Sequence, residues 1–231
     1  MTHWVGFEEE RFEKYKDWIN TSSPGICGTY CAAVLVHDRV LYDKGISLDK
    51  RQLLAGLKQA VDDHHLHPGT FAWNIHAGVD GILEHTPYVA KVGWLVEKHL
   101  PQLFAAGYGP FIVGTMDILR SSYKNHWLVV YAYRYDEQGR LWLKAYDNHG
   151  SYRSEVLATE TFSFVYLIRE PEGQKNGSQV KRIQAQAHLA HKGLRITTNT
   201  ARQEYLERKE KEEDKKIMFG MTAKDILNLF I

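Results

Sequence analysis

Residues 126–146 place the tightest constraint on how this chain can fold. Leu128-Val129-Val130-Tyr131-Ala132-Tyr133 is a run of β-branched and aromatic residues, Asp136-Glu137-Gln138-Gly139 has turn chemistry, and Arg140 to Tyr146 again favours a strand. The two strands make a hairpin. Folded about Glu137, it sets His126 opposite residues near Asn148, so a histidine opens one strand where Asp147 or Asn148 closes its neighbour. Leu141, Leu143 and Ala145 share a face with Asp147, whereas Trp142, Lys144 and Tyr146 share one with Asn148. Symmetry about Glu137 favours Asn148 and a bulge at Gly139 would reverse that, so both residues stay open. A carboxylate or amide in that place holds an imidazole in one tautomer and leaves its other nitrogen for a nucleophile.

A candidate nucleophile stands earlier in the chain. In Ser23-Pro24-Gly25-Ile26-Cys27-Gly28-Thr29-Tyr30-Cys31-Ala32-Ala33-Val34-Leu35, Pro24 and Gly25 break what precedes them, and the small apolar residues read as a buried helix from about Ile26 to Val36. Cys27 then lies in the first helical turn, where free N–H groups and the positive end of the macrodipole favour a thiolate. Cysteine is also among the most buried residue types, so a small-hydrophobe reading stands beside this one.

The other elements follow from local pattern. Phe12, Tyr15, Trp18 and Ile19 recur at helical spacing, which predicts a short amphipathic helix over residues 7–19. Val40 to Ile46 reads as a loop or short strand, and Ser47 or Asp49 caps a helix from Lys50 to His64 with Leu53, Leu54, Leu57 and Val61 as its stripe. A helix over 71–84, a strand over 88–93, a helix over 95–103 and strands over 111–115 and 162–168 complete the fold. Arg202 to Lys216 reads as a solvated helix or arm laced by charge pairs, followed by a short apolar stretch ending at Ile231. Together these elements give an α+β fold divided as an N-terminal helix (1–19), a main domain (20–170) and a C-terminal extension (171–231).

Composition excludes several classes. With 231 residues and a formal charge of +1, nothing draws the chain to nucleic acid, and no run is long enough to span a bilayer. The first ten residues lack a signal-peptide pattern, and two cysteines make no disulfide framework, so a cytoplasmic protein with reduced thiols is expected. Asp62-Asp63-His64-His65-Leu66-His67 holds metal-ligating residue types but neither HExxH nor a Cys/His spacing, so no metal and no cofactor is expected.

The order Cys27, His126, Asp147, on a helix and then a hairpin, resembles the papain-like cysteine peptidases, and more narrowly the bacterial staphopain-like and bacteriocin-processing (double-glycine leader) branches. Cys27-Gly28-Thr29-Tyr30-Cys31-Ala32-Ala33 is similar to the nucleophile helix. Leu103 to Gly114 is similar to the segment that runs through glycine and proline into a strand, and His126-Trp127-Leu128-Val129-Val130 to the catalytic-histidine strand. The resemblance spans roughly residues 20–168. It implies a helical half carrying Cys27 packed on an antiparallel sheet carrying His126, with thiolate acyl chemistry on a peptide or amide bond. Cys27 would be the nucleophile, His126 the base, and Asp147 or Asn148 the orienting residue. The family has a glutamine about six residues before the nucleophile to bind the oxyanion. Here Thr21 stands at that offset with Asn20 beside it, so these two become the oxyanion candidates. An acyltransferase or deamidase on the same fold, or a weakly catalytic binding module, would keep these residues. The implied partners are a peptide or protein substrate and, through residues 202–231, a protein partner.

Overall fold

The structure, a computed structural model, describes residues 3–21, 26–62 and 70–170. In chain order the elements are β1 (Val5–Gly6), α1 (Glu10–Glu13), α2 (Cys27–Lys44), α3 (Lys50–Val61), α4 (Ala72–Ile82), β2 (Tyr88–Trp94), α5 (Val96–Ala105), β3 (Phe111–Thr115), β4 (His126–Tyr135), β5 (Leu141–Tyr146), β6 (Ser154–Leu157) and β7 (Thr161–Arg169). The described strands form one antiparallel sheet in the order β2-β7-β3-β4-β5-β6, with β1 pairing β4 beyond the end of β3. The architecture is therefore α+β, as the pattern of elements predicts.

Alternation along β4 divides the core. Trp127, Val129 and Tyr131 join α2, α3 and α4 in one cluster, whereas Leu128 and Val130 join Leu100, Phe111, Val113, Leu141 and Leu143 in the other. Because both sheet faces are covered, the central strands read as continuous apolar runs.

Helix α2 is buried without interruption from Cys31 to Asp38, including the polar His37 and Asp38. A helix buried all round needs cover on the side away from the sheet, and the N-terminal segment supplies it. Arg11 grips the Asp38 carboxylate with Nε at 3.0 Å and Nη2 at 2.6 Å, and the Tyr15 hydroxyl meets Nδ1 of His37 at 2.8 Å. Residues 3–21 are thus part of the compact unit Met1–Arg169 and not a separate segment.

Three expected elements differ. The amphipathic helix over 7–19 is only Glu10–Glu13; after it, tight turns with Tyr15 N–H on Phe12 O and Trp18 N–H on Tyr15 O keep Phe12, Tyr15 and Trp18 on one side. A three-residue repeat of short turns gives the same pattern as a helix face. The segment from Val40, expected as loop or strand, continues α2 to Lys44, where Gly45 adopts φ 67° and donates to Leu41 O. Helix α3 ends at Val61 and not at His64, with Asp49 as its cap through Gln52 N–H. The metal-like run 63–67 and the charged helix and apolar tail of 202–231 lie outside the described residues.

Candidate active site

The site forms where β5 stops. Along the β4–β5 hairpin, Tyr135 faces Leu141 and Ala132 faces Lys144, but Val130 faces Ala145 and Val129 faces Tyr146. The extra residue is Tyr131, so the bulge lies in mid-strand and not at Gly139, and Tyr131 and Ala132 both join the α2-facing core. Carried to the start of β4, this register sets Trp127 opposite Asn148 and His126 opposite His149. His126 and His149 do meet, with ring centroids 4.3 Å apart, and Tyr123 lies against the same imidazole at 6.0 Å.

Neither Asp147 nor Asn148 orients His126 through its side chain. His126 Nε2 lies 2.8 Å from the main-chain oxygen of Asp147. A carbonyl only accepts, so Nε2 carries the hydrogen and the neutral ring presents its lone pair at Nδ1. The Asp147 carboxylate instead ties its own turn, accepting from His149 N–H and Ser151 N–H at 2.9 Å each and from Ser154 Oγ at 2.8 Å. Asn148, fully buried and at φ 50°, donates from Nδ2 to Trp127 O at 2.9 Å and lies 3.5 Å from Cys31 Sγ; its Oδ1 has no hydrogen-bond partner.

The peptide of Trp127 is the meeting point that the pattern of side chains could not reveal. Its carbonyl, which a longer β5 would have paired, accepts from the Cys31 thiol at 3.1 Å as well as from Asn148. Its N–H is among the main-chain groups that favour the ionised Cys27 thiol. Cys31 is fully buried, in keeping with a packing role, while Cys27 is half-buried at the first residue of α2. The start of α2 thus meets β4 at Trp127, the residue after His126, and among the described residues no hydrogen bond joins the imidazole to the Cys27 sulfur.

Several groups set the charge state. Burial pushes the Cys27 thiol up to about 11, the Asp62 carboxylate adds to this, and the main-chain N–H groups of Trp127, Gly28 and Cys27 act against it. Burial lowers the pKa of His126, the hydrogen bond to the Asp147 carbonyl opposes that shift, and His149 reinforces it. Both trends favour a neutral thiol beside a neutral imidazole.

The oxyanion candidates are placed by the N-terminal segment. Asn20 N–H donates to Asn148 O at 2.8 Å, and the Tyr146 hydroxyl donates to Trp18 O, so Trp18 and Asn20 are fastened to the end of β5. Asn20 is half-buried there and Thr21 is exposed. At the start of α2, Asp62 accepts from Thr29 Oγ1 and, at 2.5 Å, from Thr70 Oγ1, while Thr70 O accepts from the Trp127 indole at 2.7 Å. Gly28 allows this close approach, since a Cβ there would fall 2.5 Å from Thr70 Cγ2. Sequence reasoning passed over Asp62, Thr70 and His149; Asp62 had been visible only as the start of the metal-like run.

Among the described residues no group of three or more His, Cys, Asp or Glu side chains is placed to hold a metal ion, and no helix is long and apolar enough to cross a membrane. No protein-family model matches the sequence, and comparison with curated proteins and with solved structures gives no match.

Proposed function

We propose that the protein is a cysteine hydrolase of papain-like arrangement that cleaves a peptide or amide bond in the cytoplasm. The observation that carries this reading is the tautomer of His126: its Nε2 is committed to the Asp147 carbonyl, which leaves Nδ1 as a base on the residue before Trp127, whose carbonyl accepts from Cys31 one turn after Cys27. In the reaction, Nδ1 takes the thiol proton as the sulfur bonds to the acyl carbon. The Cys27 N–H, with Asn20 or Thr21, holds the oxyanion. The tetrahedral adduct collapses to a thioester, His126 returns the proton to the leaving amine, and water then releases the acid. An amine acceptor in place of water would make the same site an acyltransferase, and a deamidase would release ammonia.

A second reading, a binding module of the same arrangement, is favoured by one observation: the thiol is held protonated and shares no hydrogen bond with His126. Hydrolysis of a panel of fluorogenic peptide and amide substrates separates the two. Turnover abolished by both Cys27→Ala and His126→Ala supports the hydrolase; turnover unchanged by Cys27→Ala, or absent across the panel, sinks it.

A further inference from the structure

Three residues that the proposed mechanism does not use surround the start of α2. Asp62, the residue that closes α3, accepts a hydrogen bond from Thr29 Oγ1 in the first turn of α2 and another at 2.5 Å from Thr70 Oγ1 before α4. Thr70 in turn packs on Gly28, where an added Cβ would lie 3.0 Å from its Oγ1. The carboxylate is therefore anchored at two points that bracket Gly28, the neighbour of Cys27. Thr29 and Thr70 are both buried, so little water stands between these groups to screen the charge.

A carboxylate at a helix N-terminus is favourable for the helix, and α2 has no acidic residue of its own in the first turn. It also occupies the electropositive end that would otherwise stabilise a thiolate at Cys27. We propose that Asp62 is a positioning residue for Cys27: bridged between Thr29 and Thr70, its carboxylate fastens the start of α2 and keeps the adjacent thiol protonated until His126 removes the proton. The other groups that act on the Cys27 thiol are the main-chain N–H groups of Trp127, Gly28 and Cys27 itself, none of which carries a fixed charge. Burial and, added to it, Asp62 make proton removal by the base, not a standing thiolate, the entry to the reaction. The functional consequence rests on Cys27 being the nucleophile.

The test reads Cys27 directly and needs no turnover. Iodoacetamide labelling is followed by peptide mass mapping from pH 6 to 11 in His126→Ala and in His126→Ala combined with Asp62→Asn, so that Asp62 is read without the base. Asparagine keeps the shape and can still bond both threonines. Removing the charge is expected to lower the midpoint of Cys27 labelling by about one pH unit, which is about threefold in rate near pH 7.5 once the weaker nucleophilicity of a less basic thiolate is counted. Asp62→Ser is the second uncharged variant, and an unlabelled Cys31 in each protein reports that the buried core is intact. A lower midpoint in the folded variants bears the proposal out. A midpoint at or above that of the parent overturns it, whatever the substrate panel gives, and loss of hydrolysis in Cys27→Ala bears only on the function.

Discussion

The proposed roles of Cys27 and His126 make a quantitative prediction for replacement of His126 by alanine. With its pKa at about 11, a Cys27 left to ionise unaided would be thiolate in about one molecule in 10⁴ at pH 7, against about 3% of an unperturbed cysteine. The more basic thiolate is the better nucleophile, which returns roughly tenfold of that roughly 300-fold deficit. Cys27 in His126→Ala should therefore be alkylated about 30-fold more slowly than a free cysteine at pH 7, with a rate that rises about tenfold per pH unit to pH 10. With Nδ1 of His126 available, the wild type should exceed the variant by at least about 100-fold at pH 7, the lower range of general-base assistance. Its rate should fall only when the ring is protonated, below the ordinary histidine range because burial lowers that pKa. The assay is iodoacetamide labelling over pH 5 to 10 with peptide mapping, which separates Cys27 from Cys31. Coincident profiles for wild type and variant would refute a base role for His126, and faster labelling of Cys31 than Cys27 would refute the assignment of the nucleophile.

Three further outcomes test the scaffold. Arg11→Met leaves the Asp38 carboxylate buried without its bidentate partner and should lower stability by about 3 kcal/mol, read as a lower urea midpoint at unchanged slope; Arg11→Met with Asp38→Asn should recover part of the loss, and a change under about 1 kcal/mol would contradict the pairing. His37, buried between Tyr15 and Ser47, has a lowered pKa through burial and Lys14, so the unfolded chain takes the proton first. Its contribution is complete above the unfolded histidine value of about 6.5 and is lost as pH falls through that value toward the lower folded one, so melting temperature should drop from pH 7 to pH 5 with a shallower slope in His37→Gln. Gly28→Ala should destabilise by about 1–3 kcal/mol, because the new methyl meets Thr70 Cβ at 2.8 Å and the start of α2 must move; a neutral substitution would show that Thr70 yields instead.

Most of the secondary structure was legible because burial and period agreed along it. Val129, Val130 and Tyr131 are strand formers buried on both faces, and Leu57 and Val61 mark the inner side of α3 at helical spacing. Pattern failed where two geometries share a period or where cover comes from far along the chain. Phe12, Tyr15 and Trp18, three apart, suit a run of short turns as well as a helix. Val40 to Lys44 looked like a loop because its polar residues break the apolar run, yet Arg39 pairs with Asp43 one turn on and the helix continues.

The site shows a sharper limit. The sequence placed a histidine, an acid and an amide at one end of a hairpin, and that end is where the structure gathers them. The role of each depended on where the turn is centred and on one inserted residue, Tyr131, which no turn signal marks. A hairpin folded about Glu137 sets His126 opposite Asn148; the pairs nearest the turn centre instead on Gln138, which alone would set His126 opposite Gly150, and the Tyr131 bulge draws the partner back by one, so His149 faces the imidazole, Asn148 turns to α2 and Asp147 offers its carbonyl instead of its carboxylate. Main-chain groups then take work that a reading of side chains assigns to Asp147 and Asn148. The Asp147 carbonyl sets the tautomer, and the Trp127 carbonyl receives both Cys31 of α2 and the Asn148 amide. Such contacts follow from strand ends and register, which are long-range properties, and so a substitution of Asp147 that preserves its turn should leave the His126 tautomer unchanged.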